Sequence, residues 1–516
     1  MNNRVFHSWV PEGLDLYLLL FLSIMLSFNG GLPSTLSGYV VGSQSAIGAD
    51  LTMASFAYTA GMASVLPLTL RLQEFSAKKT LLCVIFPVLI FLNFLYTVTD
   101  QPLIIVMISF TIGFIKMIAT LIVVISLIPI LMPQGERYQL YCLYYPLSLV
   151  FGPVSGFLSA LIADRWNWKF GLHTQNLFLF TGLLVIIFLF HPQRQYKKKP
   201  LYGYDWLGTV FYSITLILVC FVFSYGVTDD WFNSTKVKMA VAGAITSGML
   251  FIRQSLAVRR PLMCFDFLKF WKPMLGISIL VMFCLFFSTN ALIGPFLSIV
   301  FHNNPVESAQ INLYVIPGYI AGTLLCFLYY RKYTRFNTIA AVCCASYLLS
   351  NLLMYRLTSV YTSSADLFLP MFLRAMATVI AYISVGIYVT YNIPFALIND
   401  ITVFIITLRS LIAPGIATAF YSKMIYRGTV RYTDKLAGNM DALNPFVALR
   451  GESIISAVKT QATLLAIRDV YGLLIVVGII MLVFLIVFPF HGSDKRVVFN
   501  WADPAYSKEV AQLIPV

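Results

Sequence analysis

The sequence of 516 residues is 59% hydrophobic and only 11% charged, with a formal net charge of +14. Soluble domains carry about 25% charged residues, so this composition excludes an ordinary soluble protein and indicates a polytopic membrane protein. The basic residues lie in short segments between apolar runs, which is typical of membrane topology signals. The expected counter-charge is therefore the lipid bilayer and not nucleic acid.

Apolar runs predict the transmembrane helices. A span needs about 20 apolar residues, and by this criterion the chain is an all-α polytopic membrane protein with fourteen helices. The predicted helices are 14–36, 51–72, 79–97, 102–131, 138–161, 176–191, 206–226, 237–253, 274–300, 311–330, 337–357, 366–391, 397–421 and 470–490.

The distribution of lysine and arginine predicts the orientation. Twenty of these residues fall on the side that holds both termini, and five fall in the short loops of the opposite side. Because cytoplasmic loops are enriched in lysine and arginine, we expect both termini in the cytoplasm. The segment 421–469 is expected to be a long periplasmic loop.

Two basic linkers divide the fourteen helices into groups of six, two and six. The predicted units are an N-terminal bundle at 14–191, a basic cytoplasmic linker at 192–205, an inserted helix pair at 206–253, a C-terminal bundle at 274–490 and a cytoplasmic tail at 491–516.

The two groups of six helices echo each other, as the repeats of many transporters do. Polar, proline, glycine and basic residues recur in the same order in both groups. The matched features are Asn29 and Asn290, each ahead of a proline; the mid-helix cations Lys116 and Arg374; and the pairs Gly152-Pro153 and Pro414-Gly415.

Glycine and proline interrupt two of the helices, at Gly152, Pro153 and Gly156 and again at Pro414 and Gly415. Glycine allows another helix to approach closely, and proline removes a backbone donor and bends the helix. One interpretation is a pair of kinked, well-packed helices. The other is a hinge on which two bundles move.

Several of these residues resemble a known family. The run Gly152-Pro153, Gly156 and the following Trp166, Trp168 and Phe170 is similar to the antiporter signature of the major facilitator superfamily, and within it to the fourteen-helix drug:proton antiporters that include EmrB and QacA. Further matches are Asn29-Gly30-Gly31-Leu32-Pro33, Tyr58, Pro67, Glu74, Lys78, Lys79, Asp205-Trp206-Leu207-Gly208, Pro261-Leu262, Pro317, Arg374, Arg409, and Gln461-Ala462 with Leu465-Ala466 and Asp469.

The sequence also departs from this family. Ile24 stands where many members have a carboxylate, Asn167 replaces an arginine of the signature, and the arginine of the fourth helix falls near Thr111.

The resemblance implies a major facilitator fold, alternating access, and proton-coupled export of amphipathic small molecules or drugs from a bacterial-type inner membrane. It implies a cytoplasmic gate at Glu74, Lys78 and Lys79. A periplasmic adaptor and an outer-membrane channel are expected partners because some relatives use them. The alternatives are a proton-independent facilitator, a lipid or anionic-metabolite transporter and, remotely, a polytopic membrane enzyme.

Three cations, Lys116, Arg374 and Arg409, fall near the middle of predicted spans, where no Asp or Glu falls. A charge inside the membrane is costly and marks function by default. These cations either bond backbone carbonyls of kinked helices or face a central cavity that receives an anionic or acceptor-rich substrate group. Asn29 and Tyr58 are the polar residues expected beside them in that cavity.

A proton carrier would have to be a titratable group reachable from both sides of the membrane. Asp400 and Asp15 are the weak candidates, since both stand near helix ends and are readily explained as solvated charges. None of the five histidines falls inside a predicted span with an acidic partner, so an enzyme is disfavoured. No cofactor or metal site is expected.

Overall fold

The computed structural model describes residues 5–11, 13–31, 34–43, 47–131, 137–192, 204–258, 261–301, 304–333, 335–390, 395–438 and 452–488. The regular elements in these ranges are helices, together with one isolated backbone bridge between Phe6 and Phe190. The predicted tail at 491–516 and most of the linker at 192–205 lie outside the described residues.

The α-helices follow the predicted apolar runs. They are α1 Leu14–Phe28, α2 Ser37–Ser43, α3 Gly48–Phe75, α4 Lys78–Val98, α5 Pro102–Leu131, α6 Arg137–Arg165, α7 Trp168–Leu189, α8 Trp206–Tyr225, α9 Thr235–Ala257, α10 Trp271–Phe287, α11 Asn290–Val300, α12 Pro305–Asn312, α13 Val315–Lys332, α14 Phe336–Leu357, α15 Phe368–Val389, α16 Phe395–Thr407, α17 Ala413–Ala437 and α18 Glu452–Val487.

Within the described ranges, 13 helical segments are long and apolar enough to cross a membrane, and α1 is a shorter apolar helix. The predicted all-α polytopic architecture is therefore confirmed. Four of the predicted helices are interrupted: between α1 and α2, between α10 and α11, between α12 and α13, and between α16 and α17, where residues Leu408–Ile412 form a π-helical turn.

The segment 421–469 differs from its prediction, because most of its described part is helical rather than loop. Helix α17 continues to Ala437 and α18 already begins at Glu452. The hydropathy criterion missed these turns because they carry many polar residues. They pack as a hairpin in which Gly428 contacts Ala466, and the Tyr432 hydroxyl donates to Asp469 at 2.6 Å.

The buried apolar side chains form two clusters. The N-terminal cluster contains residues between Phe6 and Met263, together with Val403 and Leu411. The C-terminal cluster contains residues between Phe267 and Leu485, together with Cys142. Helices α6 and α3 join the two halves, because α6 packs against α12, α13 and α15 while α3 packs against α16.

Each half contains one very close helix pair. Helices α3 and α5 meet at Gly61 and Gly113, and a Cβ atom on either glycine would overlap a backbone carbonyl of the other helix. Helices α13 and α15 meet in the same way at Gly318 and Gly322. These pairs are the second and fourth helices of their halves, so the same packing occurs in both halves.

The inserted pair α8 and α9 is attached to the N-terminal half through α3. The Tyr225 hydroxyl at the end of α8 donates to Asp50 at the start of α3. At the other end of α8, Asp205 caps the helix: its Oδ1 accepts from the Gly208 backbone N–H at 2.8 Å and from Gln254 Nε2 of α9 at 3.1 Å. Asp205 thus joins both inserted helices.

We expect Asp205→Ala to lower the free energy of unfolding by about 1 kcal/mol, the usual cost of losing a helix N-cap. Thermal unfolding of the purified protein in detergent measures the change. Ser234→Ala is the matched control, because Ser234 occupies the N-cap of α9 without a side-chain capping bond. Equal losses in both variants would contradict a capping role for Asp205.

Candidate substrate site between the two bundles

The first membrane helix breaks at Asn29, and polar side chains from other helices bind the backbone carbonyls that the break frees. Ser155 Oγ donates to the Phe28 carbonyl at 2.7 Å, and Gln175 Nε2 donates to the Gly31 carbonyl at 3.2 Å. The Tyr58 hydroxyl donates to the Asn29 carbonyl at 3.1 Å. Irregular backbone within a membrane requires such partners.

Gly31 has a φ of +77°, and its Cα faces the ring of Tyr58. A side chain in this left-handed region costs about 1–2 kcal/mol, and a Cβ here would also lie 3.2 Å from Tyr58 Cδ2. We therefore expect Gly31→Ala to lower the thermal stability of the protein. Gly30→Ala is the control, since a Cβ at Gly30 meets nothing within 4 Å; equal effects of both changes would contradict the expectation.

Lys116 reaches this break from α5. Its Nζ donates to the Tyr58 hydroxyl at 2.7 Å and lies 5.5 Å from the centre of the Tyr58 ring. Lys116 is deep within the protein yet keeps accessible surface, so it faces an internal space rather than lipid. The structure thus brings together three residues predicted for the cavity: Asn29, Tyr58 and Lys116.

The C-terminal half has a similar arrangement at the break between α10 and α11. Arg374 Nη2, from α15, donates to Asn290 Oδ1 at 2.5 Å. Thr289 Oγ1 and the Tyr347 hydroxyl are 2.9 Å apart and share a hydrogen bond. In both halves, therefore, the cation of the fourth helix is connected to the broken first helix.

Arg409 lies in the π-helical turn between α16 and α17. Pro414 follows this turn, and because proline has no N–H it cannot continue the regular hydrogen-bond ladder. The Arg409 guanidinium carbon lies 5.1 Å from the ring centre of Tyr145 and 4.3 Å from that of Tyr382. Tyr145 belongs to the N-terminal half and Tyr382 to the C-terminal half, so Arg409 sits where the halves meet.

Tyrosines connect the three cations. We call Tyr58, Tyr144, Tyr145, Tyr382 and Tyr319 the tyrosine row. Tyr58 accepts a hydrogen bond from Lys116. The ring centres of Tyr144 and Tyr145 are 6.1 Å apart, as are those of Tyr145 and Tyr382. Arg409 lies over Tyr145 and Tyr382, and Tyr319 packs against the same C-terminal cluster as these two tyrosines.

Among the described residues, no salt bridge joins Lys116, Arg374 or Arg409 to an Asp or Glu. Sequence reasoning selected Tyr58 but missed the other four tyrosines. The cluster Tyr141-Cys142-Leu143-Tyr144-Tyr145, one turn or more ahead of Gly152, was the available signal.

The predicted hinge residues lie in different surroundings. Gly152 is exposed, with nothing within 4 Å of where its Cβ would be, whereas Gly156 is buried against Thr35. The Thr35 hydroxyl also donates to the Gly156 carbonyl at 3.1 Å. Helix α6 continues through Pro153. Gly415, next to Pro414, packs tightly against the ring of Phe223 in the inserted pair.

The predicted gate residues bond within the N-terminal half. Lys78 Nζ donates to Ser126 Oγ at 3.0 Å, and Lys79 Nζ donates to the Ile187 carbonyl at 2.7 Å. These bonds tie the start of α4 to α5 and α7 rather than to the other half. The side chain of Glu74 lies outside the described residues.

The two candidate proton carriers lie on α16 and α1. Asp400 Oδ2 accepts from the Cys264 backbone N–H at 3.2 Å and so holds the segment that leads into the C-terminal half. Asp15 lies in the first turn of α1, where a carboxylate stabilises the helix dipole.

Two helical halves with repeated packing are the arrangement of the major facilitator fold. Solved structures share it. A point mutant of the nucleoside transporter NupG aligns with a TM-score of 0.55 at 11% identity, covering 90% of this chain and 99% of that one. Tetrameric PepTSo2 gives 0.56 at 10%, covering 92% and 98%. A POT family transporter solved with a thioalcohol-conjugated peptide gives 0.56 at 12%, covering 91% and 95%.

No protein-family model and no curated protein matches the sequence. At identities of 10% to 12% the structural likeness shows the fold alone. The chain is a multi-pass membrane protein of the major facilitator fold, and its specific resemblance to the fourteen-helix drug antiporters stays a prediction.

Proposed function

We propose that the protein is a secondary transporter that moves a small organic molecule by alternating access. The observation that carries the proposal is the position of Arg409, which lies on an irregular helical turn between tyrosines of the two halves. A buried charge where two halves of a membrane protein meet is costly and marks function by default. Substrate binding between two rocking bundles supplies that function.

Proton-coupled export of amphipathic molecules or drugs from a bacterial inner membrane is the finer proposal, and it rests on the motif resemblance. A proton-independent facilitator is the second candidate. It is favoured by the bonding of Asp400 to Cys264, away from the tyrosine row.

The hairpin of α17 and α18 is the proposed docking surface for an adaptor and an outer-membrane channel. At a rise of about 1.5 Å per residue, the 36 residues of α18 form a helix longer than the roughly 30 Å thickness of the hydrocarbon core.

Distance measurements between spin labels test alternating access. Labels at Tyr138 and Phe327, whose ring centres are 5.8 Å apart, report one end of the contact between α6 and the C-terminal half. Labels at Arg165 and Gln310 report the other end, where α6 meets α12. Bioorthogonal labelling keeps the eight cysteines in place.

In lipid nanodiscs we expect two populations in which one distance lengthens as the other shortens. A pair at Phe94 and Phe170, both within the N-terminal half, is the control and should stay constant. A single, narrow distance distribution for each of the two label pairs that span the halves would overturn the proposal. Populations that shift with pH would support proton coupling, and populations indifferent to pH would favour the facilitator.

A further inference from the structure

We infer that the space along the tyrosine row binds an organic anion, with its acidic group between Arg409 and Lys116 and its apolar or aromatic body against the tyrosines. The inference rests on the transport function proposed above, because it names the substrate class of that same site.

The charge balance of the site favours an anion. Lys116, Arg374 and Arg409 lie inside the membrane-spanning part, and none of them forms an ion pair with a carboxylate among the described residues. Removing a cation from water costs several kcal/mol unless an opposite charge and hydrogen bonds compensate. A bound anion supplies that compensation at the place where the protein itself does not.

The three cations are not equivalent. Arg374 already donates to Asn290 at the break before α11 and also interacts with Tyr347. We assign it the role of a positioning residue that holds the broken helix. Arg409 lies over the rings of Tyr145 and Tyr382, which are themselves in contact. Ring faces fix the plane of a guanidinium while its edge donors remain available for a carboxylate.

Lys116 supplies the second charge, from the opposite half. Its ammonium has three donors, one of which is used on Tyr58. An anion that accepts from Arg409 and from Lys116 would contact both bundles at once. Because a ligand shifts a conformational equilibrium through differential contacts, such an anion stabilises the state in which the bundles are close.

Tyrosines suit the body of such a ligand. A tyrosine presents an apolar ring face and a hydroxyl that bonds acceptors, so a row of five selects an amphipathic or aromatic molecule over a small inorganic anion. The acidic group could belong to a soluble metabolite or to a lipid. Both share the chemistry of one anionic head on an apolar body.

Three probes of matched size test the charge: naphthoate, naphthamide and naphthylmethylammonium. Binding to the purified full chain is measured by calorimetry, and uptake of each probe is measured in proteoliposomes. We expect naphthoate to bind at least tenfold more tightly than the other two. Arg409→Gln should weaken naphthoate at least tenfold, since charged hydrogen bonds of this kind correspond to such factors.

Three variants complete the design. Arg409→Lys keeps the charge but loses the planar fork, and we expect intermediate affinity. Arg468→Gln is the matched control because Arg468 lies over the Tyr355 ring at 4.7 Å, outside the row; it should bind naphthoate as the wild type does. Arg374→Gln should lower thermal stability more than affinity, as a positioning role requires.

Preference for the ammonium or amide probe, or unchanged naphthoate affinity in Arg409→Gln, would overturn the inference and leave the transport function standing. Arg409-dependent naphthoate binding without uptake would uphold the inference and contradict transport. Lysophosphatidate is the lipid probe: stronger competition by lysophosphatidate than by naphthoate itself assigns the anion to a lipid, and weaker competition assigns it to a soluble metabolite.

Discussion

Gly113→Ala is expected to abolish most of the folded protein, with a loss of at least about 3 kcal/mol in the free energy of unfolding, at the upper end of overpacking effects. The new methyl group would overlap the backbone carbonyl oxygen of Tyr58. A backbone atom cannot rotate away as a side chain can, so α3 and α5 must separate. That separation would also move Tyr58 away from Lys116, since the two lie on these helices.

Gly152→Ala is the matched control, because it adds the same methyl group to a helix interior with nothing within 4 Å. Fluorescence-detected size-exclusion chromatography after graded heating compares the yields of monodisperse protein. We expect Gly152→Ala to match the wild type or to exceed it slightly, as the better helix propensity of alanine predicts. Comparable yields for Gly113→Ala and Gly152→Ala would contradict the close contact between α3 and α5.

The helices could be predicted from the sequence because membrane insertion depends mainly on hydropathy, which adds up residue by residue along a helix. A run of about 20 apolar residues can span the bilayer whichever helices surround it. The predicted bounds of α5, 102 and 131, are accordingly the observed ones. The hairpin turns before 437 and after 452 could not be found in this way. Their polar residues lower the hydropathy, while pairing between α17 and α18 keeps them helical.

The cations of the site could be predicted because charge in a membrane is rare and costly. The tyrosine row could not. Tyrosine is common in this chain, with 29 copies, and single positions carry no sign of which ones face the same space. Only the packing of α6 against α15 brings Tyr145 and Tyr382 together beside Arg409. The π-helical turn that carries Arg409 is likewise a product of local geometry around Pro414.

The contact between Tyr58 and Lys116 should show a large coupling energy. Tyr58→Phe removes the acceptor for the ammonium and the donor for the Asn29 carbonyl. We expect it to cost about 2–3 kcal/mol of unfolding free energy, because partners are left unpaired around a buried side chain. In a Lys116→Met background the same change should cost only about 1 kcal/mol, the value of the remaining hydrogen bond to Asn29. The double-mutant cycle, measured by denaturant unfolding, gives the difference directly.

Tyr471→Phe is the control for the loss of a tyrosine hydroxyl, since the buried hydroxyl of Tyr471 has no hydrogen-bond partner among the described residues. It should leave stability unchanged or raise it. A coupling near zero would mean that Lys116 does not depend on Tyr58. Because Tyr58 also binds the break in the first helix, a large coupling would show that the charge of Lys116 and the geometry of that break are linked. A ligand anion that draws Lys116 away would then act on the helix break itself.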